Sequence, residues 1–248
     1  MTLIDIIAGA RPNFMKIGPI IHAIQQYNKI ETPQIKYRLI HTGQHYDKAM
    51  SESFFQQLNI PEPHLNLGAG GGTQAEQTAA IMIGYERALQ EWTPEMCIVV
   101  GDVTSTMACA IVAKKANIKV AHVEGGIRSG DMTMPEEINR IVTDSITDYF
   151  FTTSGVANHN LAGQGVRDEQ VYFVGNTMID SLLGNLGRLQ RPSFYDEIHL
   201  EEKSYMVATL HRPSNVDDAA NLTKLLTIIN THCGDKKVIF PMHPRTKK

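Results

Sequence analysis

The residues best suited to chemistry lie in one segment, His122–Arg140, whose sequence is HVEGGIRSGDMTMPEEINR. It holds the carboxylates Glu124, Glu136 and Glu137, two arginines, a Gly-Gly turn and a proline. It follows the apolar run Ile118–Val123, which predicts a buried strand. Open α/β sheets bind ligands beyond the carboxyl ends of their strands. Acids mixed with arginines at such a place indicate proton transfer beside a negatively charged substrate.

Structural roles compete with chemical ones for these carboxylates. Asp102 follows a predicted strand and suits either a ligand site or the N-cap of the next helix; both remain open. Glu124 directly follows a buried strand, so it must be solvated, paired or catalytic. Glu136 and Glu137 suit a first helical turn, where the helix dipole favours acids. Arg140 stands four and three residues after them, at the spacing of a helix-surface ion pair.

Basic side chains follow the first predicted strand, in Gly9–Lys16 (GARPNFMK). The glycine permits a tight turn, the proline suits a first helical turn, and the helix N-terminus offers free N–H groups to an anion. Arg11 and Lys16 add positive charge beside it, although a solvated arginine at a turn is the simpler explanation. The segment is neither GxGxxG nor a Walker A loop, so it predicts no NAD or ATP phosphate site.

Two His/Arg clusters follow strands near the C-terminal end of the sequence. His211 and Arg212 come after the predicted strand Tyr205–Leu210, and His243 and Arg245 come after the next one. Single histidines are usually structural. Two such clusters at strand ends suit phosphate or pyrophosphate binding, because guanidinium and imidazolium groups donate to anionic oxygens.

The segment His41–Asp47 follows the second predicted strand and contains Gln44 and His45. Two histidines four residues apart pair on one face only in a helix, and Gly43 argues against a helix here. A polar loop is therefore favoured over a metal site. The glycine-rich run Asn66–Gly72 predicts a connector, with a ligand-binding loop as the alternative.

Apolar strand-like runs alternate with helical patterns, which predicts a parallel, doubly wound α/β sheet with right-handed crossovers. The predicted strands in the first part are Leu3–Ala8, Ile35–His41, Met96–Val100, Ile118–Val123, Tyr149–Thr152 and Val171–Val174. The predicted helices are Phe14–Tyr27, Ala49–Leu58, Thr73–Trp92, Thr104–Ala116, Pro135–Thr147, Gly155–Gln164 and Thr177–Leu189. In the Pro135 helix, we expect Ile138, Ile141 and Val142 to face the core.

A second βα pattern begins after a linker at residues 190–193. Its elements are the strands Tyr205–Leu210 and Lys237–Phe240 and the helix Asp217–His232. Two strands and one helix cannot cover both faces of a parallel sheet. We therefore expect an N-terminal domain over residues 1–180, and a linker helix with an incomplete second domain over residues 181–248.

Composition excludes several classes of protein. The 248 residues carry a net charge of −3, and no long basic run suggests a nucleic-acid surface. No apolar run approaches the roughly 20 residues of a membrane span, and no secretory leader is evident. The three cysteines lack CxxC spacing, which favours reduced thiols. These observations predict a cytoplasmic protein.

The motifs taken together resemble the UDP-N-acetylglucosamine 2-epimerases of the nonhydrolysing type. The matching segments follow the family's order and cover nearly the whole chain. They are GARPNFMK (Gly9–Lys16), TGQHYD (Thr42–Asp47), VVGDVTST (Val99–Thr106), HVEGGIRSGD (His122–Asp131), MPEEINR (Met134–Arg140), VGNTMID (Val174–Asp180), HRPSNVD (His211–Asp217) and HPRT (His243–Thr246).

The resemblance implies two Rossmann-like domains of glycosyltransferase-B type, with a UDP-sugar between them, no cofactor or metal, and a homodimer. It also implies a longer protein, whose nucleotide-binding half-domain is incomplete here. In the reaction that the resemblance implies, UDP leaves C1 of the sugar as the C2 proton is removed, and it adds back to the resulting glycal after protonation from the other face. The acid–base candidates by motif are Asp102, Glu124 and Glu136.

Further roles carry over by motif match. His211 is the candidate to contact the diphosphate or assist its departure, and Arg140 is expected to hold the acidic cluster. Arg11, Lys16, Arg212, His243 and Arg245 are expected to bind substrate, and Gln44 and His45 to retain part of a regulatory site.

Three alternatives remain. The substrate could be a UDP-2,3-diacetamido uronic acid, because MPEEINR and ATLHR also resemble enzymes that act on such sugars. A hydrolysing relative would release UDP and free N-acetylmannosamine instead. A noncatalytic UDP-sugar-binding fragment is the alternative outside enzymes.

Overall fold

The computed structural model describes residues 2–32, 34–43, 55, 57–242 and 246, except for the side chain of Arg11. It divides into two compact units, residues 1–187 and 188–248. The first unit contains a seven-stranded sheet in the order β3-β2-β1-β4-β5-β6-β7, and every strand pair is parallel. The strands are β1 (Thr2–Ala8), β2 (Ile35–His41), β3 (Leu65–Asn66), β4 (Met96–Val100), β5 (Lys119–Val123), β6 (Tyr149–Thr152) and β7 (Val171–Phe173).

The helices of the first unit connect these strands, which confirms the predicted α/β class. They are α1 (Arg11–Ile30), α2 (Gln74–Glu91), α3 (Thr104–Lys115), α4 (Pro135–Ser145), α5 (Gly155–Ala162) and α6 (Thr177–Asn185). The short strand β3 is not among the predicted elements. Most of the predicted helix Ala49–Leu58 lies outside the described residues.

Two apolar clusters cover the two faces of this sheet. One joins strand residues such as Val99 and Val120 to Tyr85 of α2 and to the small residues of α3. The other joins Ile6 and Val100 to α1, including Ile17. Burial on both faces explains why the strands are continuous apolar runs rather than alternating ones.

Helix α6 belongs to the first unit. It packs against α1, and the buried Ser181 hydroxyl donates a hydrogen bond to the carbonyl of Met15. The Asn176 side chain begins the helix by accepting from the backbone N–H of Met178.

Helix α4 is rotated relative to the expectation. The prediction that Ile138 and Ile141 face the core is wrong, since their exposed fractions are 44% and 36%, and Val142 is only half-buried. The buried residues of α4 are polar: Glu137, Asn139, Thr143 and Asp144. The periodicity identified an apolar face correctly, but this helix turns its polar face inward because that face meets polar groups at the sheet edge.

The second unit contains the parallel pair β8 (Tyr205–Val207) and β9 (Lys237–Ile239). Its helices are α7 (Phe194–Glu197), α8 (Pro213–Val216) and α9 (Ala219–His232). Strand β8 ends three residues before the predicted boundary at Leu210. Among the described residues of the whole chain, no helix has the length and apolar character needed to cross a bilayer.

Candidate functional site

The loops after β1 and β4 lie where the strand order reverses, since β1 pairs with β2 on one side and with β4 on the other. Asn13, in the first turn of α1, joins them. Its Oδ1 accepts from the backbone N–H groups of Gly9 (3.0 Å) and Ala10 (2.9 Å), and its Nδ2 donates to the Val100 carbonyl (3.0 Å). Open α/β sheets form ligand crevices at such reversal points, beyond the carboxyl ends of their strands. The edge of the sheet formed by the carboxyl ends of its strands is therefore the candidate site.

Glu124 lies at this edge, immediately after β5, and pairs with Lys16 of α1. Lys16 Nζ is 2.5 Å from Glu124 Oε2, and the two side chains are 13% and 11% exposed. Glu124 adopts φ of 71°, in the left-handed region that non-glycine residues rarely occupy. Strained backbone of this kind concentrates at functional sites. The glycine at position 101 leaves room for this pair, because a Cβ there would lie only 3.1 Å from Lys16 Nζ.

Asp102, after the neighbouring strand β4, is held by Arg140 of α4. Arg140 donates from Nη2 (2.5 Å) and Nε (3.1 Å) to Asp102 Oδ2, and Asn139 Nδ2 donates to the Asp102 carbonyl (2.8 Å). The Asp102 side chain is still 32% exposed. Asp102 does not cap the next helix, whose N-cap is Val103. Arg140 thus holds an aspartate that keeps access to solvent.

The two glutamates at the start of α4 differ completely. Glu137 is buried; it accepts from the N–H groups of Ser129 and Gly130 (3.0 Å each) and from Arg140 Nη1 (2.7 Å). Burial alone would raise the pKa of Glu137, but these donors lower it to about 2. Glu136 is exposed and makes no hydrogen bond or ion pair with the rest of the described chain. Arg140 therefore pairs with Glu137 and Asp102, leaving Glu136 available to a ligand.

Behind this edge lies a buried network centred on His122 and Asp144. His122 Nδ1 is 2.6 Å from Asp144 Oδ1, and His122 Nε2 is 2.7 Å from the Gly101 carbonyl. Asp144 Oδ2 also accepts from Gly126 N–H (3.0 Å) and pairs with Arg128 Nη1 (2.7 Å). Burial raises the pKa of Asp144, but hydrogen bonds and charge from His122 and Arg128 prevail and lower it.

The edge thus presents two carboxylates on adjacent strands, each paired with one cation, and a third carboxylate that is exposed. Such groups can take and return protons beside an anionic substrate. Among the described residues, no three or more His, Cys, Asp or Glu side chains are arranged to hold a metal ion.

Several predicted site residues belong to the second unit or cannot be placed. His211 and Arg212 are exposed in the second unit, and Arg212 is the residue before α8. Arg11 begins α1, but its side chain is not described. Gln44, His45, His243 and Arg245 lie outside the described residues. Their predicted roles stay predictions.

Sequence reasoning missed the supporting residues Asn13, His122, Asn139 and Asp144. The only signal was at His122, a histidine within a predicted buried strand and two residues before Glu124. The others depend on contacts across 22 to 87 residues of sequence, which spacing does not reveal.

Comparison with known proteins adds the family. The family model described as UDP-N-acetylglucosamine 2-epimerase matches residues 28–248. The UDP-N-acetylglucosamine 2-epimerase of Methanocaldococcus jannaschii is 40% identical over 99% of this chain and 67% of that protein. The UDP-2,3-diacetamido-2,3-dideoxy-D-glucuronate 2-epimerase of Pseudomonas aeruginosa is 38% identical over 97% of this chain and 66% of that protein.

Solved structures agree with this match. The crystal structure of the M. jannaschii enzyme in complex with UDP-GlcNAc and UDP has a TM-score of 0.82 at 39% identity; the match covers all of this chain and 67% of that one. The S. aureus MnaA–UDP structure has a TM-score of 0.86 at 27% identity, over all of this chain and 65% of that one. The present chain spans about two thirds of these proteins, and the expected glycosyltransferase-B type fold is confirmed. The chain belongs to the UDP-N-acetylglucosamine 2-epimerase family.

Proposed function

We propose that the chain takes part in reversible C2 epimerisation of UDP-N-acetylglucosamine to UDP-N-acetylmannosamine. The observation that carries this proposal is the pair of carboxylates at the ends of adjacent strands, Asp102 with Arg140 and Glu124 with Lys16. The relatives named for this activity support it. The chain spans about two thirds of the length of these relatives.

The C2 proton of the sugar is weakly acidic, so its removal is coupled to departure of the leaving group. One carboxylate takes the proton while the C1–O bond to UDP breaks and its electron pair leaves with the diphosphate. The electrons of the C2–H bond form the C1–C2 double bond of a glycal. An acid on the opposite face then protonates C2, and UDP adds back to C1. We assign these two roles to the set Asp102, Glu124 and Glu136, without ordering them.

Cations must hold the diphosphate while it is detached. We propose His211 for this task, with Arg11, Lys16, Arg212, His243 and Arg245 contributing to substrate binding, and Gln44 and His45 contributing to a regulatory site. His211 and Arg212 are exposed in the segment that follows β8 in the second unit.

The test is incubation with UDP-N-acetylglucosamine in D₂O, followed by proton NMR, with the M. jannaschii relative as positive control. We expect deuterium at C2 and both epimers of the nucleotide sugar. Absence of exchange by this chain, where the relative exchanges, contradicts the proposal. Accumulation of free UDP with N-acetylmannosamine assigns a hydrolysing reaction instead. UDP binding by calorimetry without turnover assigns a noncatalytic binding protein.

A second candidate substrate is a UDP-2,3-diacetamido uronic acid. The P. aeruginosa relative named for such a sugar is 38% identical to this chain, nearly as similar as the M. jannaschii enzyme at 40%. The chemistry at C1 and C2 is the same for both substrates. Parallel exchange assays with the two nucleotide sugars separate them, since the preferred substrate gives the higher kcat/KM.

We also propose that the protein is a homodimer. Helices α2, α3 and α4 line an apolar groove of about 550 Å³ that includes Ala75, Met107 and Ile138. Beside it, Met134 and Ile141 are exposed. An apolar groove with exposed large side chains favours a protein contact. Light scattering on the wild type and on Ile138→Glu tests it: we expect a dimer and a monomer, respectively, and a monomeric wild type contradicts it.

A cytoplasmic location is part of the proposal. Cys97, Cys109 and Cys233 are buried and unpaired. Free thiols are typical of reducing compartments. Fractionation of cells that express the protein tests this, and recovery outside the cytoplasm contradicts it.

A further inference from the structure

The turn that carries Glu124 is fixed from both ends by one carboxylate. Asp144 Oδ1 contacts His122, two residues before Glu124, and Asp144 Oδ2 accepts from Gly126, two residues after it. Gly125 lies against the same pair: a Cβ there would be 3.4 Å from both Asp144 Oδ1 and His122 Nδ1, and 2.9 Å from Phe150. These contacts of Asp144 on both sides of Glu124 hold its left-handed backbone conformation in place.

The second ring nitrogen of His122, Nε2, contacts the loop after β4, which carries Asp102. His122 Nε2 is 2.7 Å from the carbonyl oxygen of Gly101, the residue that precedes Asp102. Gly101 also has a positive φ of 69°, and its N–H donates to the Val123 carbonyl (3.0 Å). One imidazole therefore connects the peptide before Asp102 with the turn of Glu124.

The geometry also sets the protonation of this ring. A carbonyl oxygen can only accept a hydrogen bond. Asp144 already accepts from the Gly126 N–H and pairs with Arg128, so towards His122 it also acts as an acceptor. Both ring nitrogens of His122 must therefore donate, which makes the ring an imidazolium. Two cations, His122 and Arg128, thus face the single carboxylate of Asp144.

We propose that His122 is a positioning residue: as an imidazolium between Asp144 and the Gly101 carbonyl, it sets the spacing of Asp102 and Glu124. This role deepens the proposed epimerase function and rests on it. His122 is fully buried, so it acts through these two contacts rather than on the substrate.

The kinetic test uses three substitutions at one position. His122→Phe keeps a ring but makes neither contact. In His122→Asn, the side-chain amide can lie near the position of Nδ1 and donate to Asp144. In His122→Gln, the side-chain amide can lie near the position of Nε2 and donate to the Gly101 carbonyl. We expect kcat for C2 exchange to fall about 100-fold in His122→Phe, with KM little changed, since misplaced catalytic groups lose rate rather than binding. The two amide variants should each recover part of the loss.

The matched control is Asp5→Asn, which removes a buried arginine-paired carboxylate elsewhere in the sheet. Variants are compared at equal folded fraction by circular dichroism. A normal kcat in His122→Phe overturns the proposal, and so does an equal fall of kcat in Asp5→Asn, because the loss would then reflect general damage to the fold.

A spectroscopic readout separates this inference from the proposed function. Nitrogen NMR of ¹⁵N-histidine-labelled protein should show both His122 ring nitrogens protonated at neutral pH, and hydrogen exchange of the Gly126 amide should accelerate in His122→Phe. A neutral His122 ring, or unchanged Gly126 exchange, overturns the inference even in an active enzyme. If the wild type lacks exchange activity but both readouts appear, the proposed function fails while the structural role of His122 stands.

Discussion

Two buried carboxylate–arginine pairs in the first unit behave in opposite ways. In the middle of the sheet, Arg38 of β2 donates from Nε (2.9 Å) and Nη2 (2.8 Å) to Asp5 of β1. The hydroxyl of Tyr85 donates to the same carboxylate (3.0 Å). Burial nevertheless dominates and raises the pKa of Asp5. This pair is closed on all sides, and Arg38 uses Nη1 to donate to the Ala88 carbonyl (3.0 Å).

At the edge of the sheet, Glu137 is equally buried and also pairs with an arginine. Two backbone N–H groups, from Ser129 and Gly130, join Arg140 in donating to Glu137, and its pKa falls to about 2. Unlike Arg38, Arg140 keeps donors free for a second, partly exposed carboxylate, Asp102.

The two pairs differ in where the remaining N–H donors of each arginine are used. The Asp5–Arg38 pair uses its donors on the sheet and on the end of α2, so it can only contribute to folding. The Glu137–Arg140 pair anchors the loop of Ser129 and Gly130, and Arg140 also holds Asp102 at the candidate site. Loop amides at a strand end make this possible, because mid-strand amides are already engaged in the sheet.

The largest expected effect separates Glu136 from its buried neighbour. In Glu136→Gln, we expect turnover to fall about 10²- to 10⁴-fold, the usual contribution of a positioned acid or base. The exposed side chain makes no hydrogen bond or ion pair with the described residues, so the free energy of unfolding should fall by no more than about 1 kcal/mol, the usual contribution of a helix dipole. Exchange kinetics in D₂O and denaturant unfolding check both parts. Near-normal turnover would return Glu136 to a helix-dipole role.

Asp5→Asn should have the largest effect on stability. It leaves the Arg38 guanidinium buried without its counter-charge, a change that costs about 3–5 kcal/mol. Urea unfolding measures the loss. Exchange activity per folded molecule should not change, because Asp5 lies in the middle of β1. A substantial drop in kcat would break the distinction between the two regions.

Glu137→Gln should be less costly, at about 1–3 kcal/mol, because its amide NH₂ faces groups that are themselves donors. The sign of the pH dependence follows from the lowered pKa. The folded protein holds Glu137 ionised down to about pH 2, whereas the unfolded chain takes up the proton near the usual value of about 4.3. The stability contribution is therefore present above that value and is lost as pH falls towards 2.

Acid titration of unfolding checks this dependence. The wild type should lose stability more steeply between about pH 4.3 and pH 2 than Glu137→Gln. Parallel curves for the two proteins would contradict the account of Glu137.

Much of the fold could be predicted, because its strands are buried on both faces. The bounds of β2, β4 and β6 agree with the predicted ones, and Glu124 and Asp102 follow strands as expected. Prediction failed at α4, where hydrophobic periodicity located the apolar face but not its direction. That direction depends on polar partners such as Ser129 and His122, which come from other elements. The pairing of Glu124 with Lys16 crosses 108 residues and leaves no local pattern.

The smallest expected effect on stability concerns the Asp5–Arg38 pair. Tyr85→Phe removes one of the three donors to the Asp5 carboxylate and leaves both from Arg38, so we expect a loss of about 1 kcal/mol. The Tyr85 hydrogen bond lowers the pKa of Asp5, so it favours the ionised form. Its removal should therefore destabilise the protein most at neutral pH, and less once acid protonates Asp5. Urea unfolding of wild type and variant at neutral and acidic pH measures this change. A difference that stays constant with pH would mean that Tyr85 acts through packing, and that Arg38 alone sets the charge of Asp5.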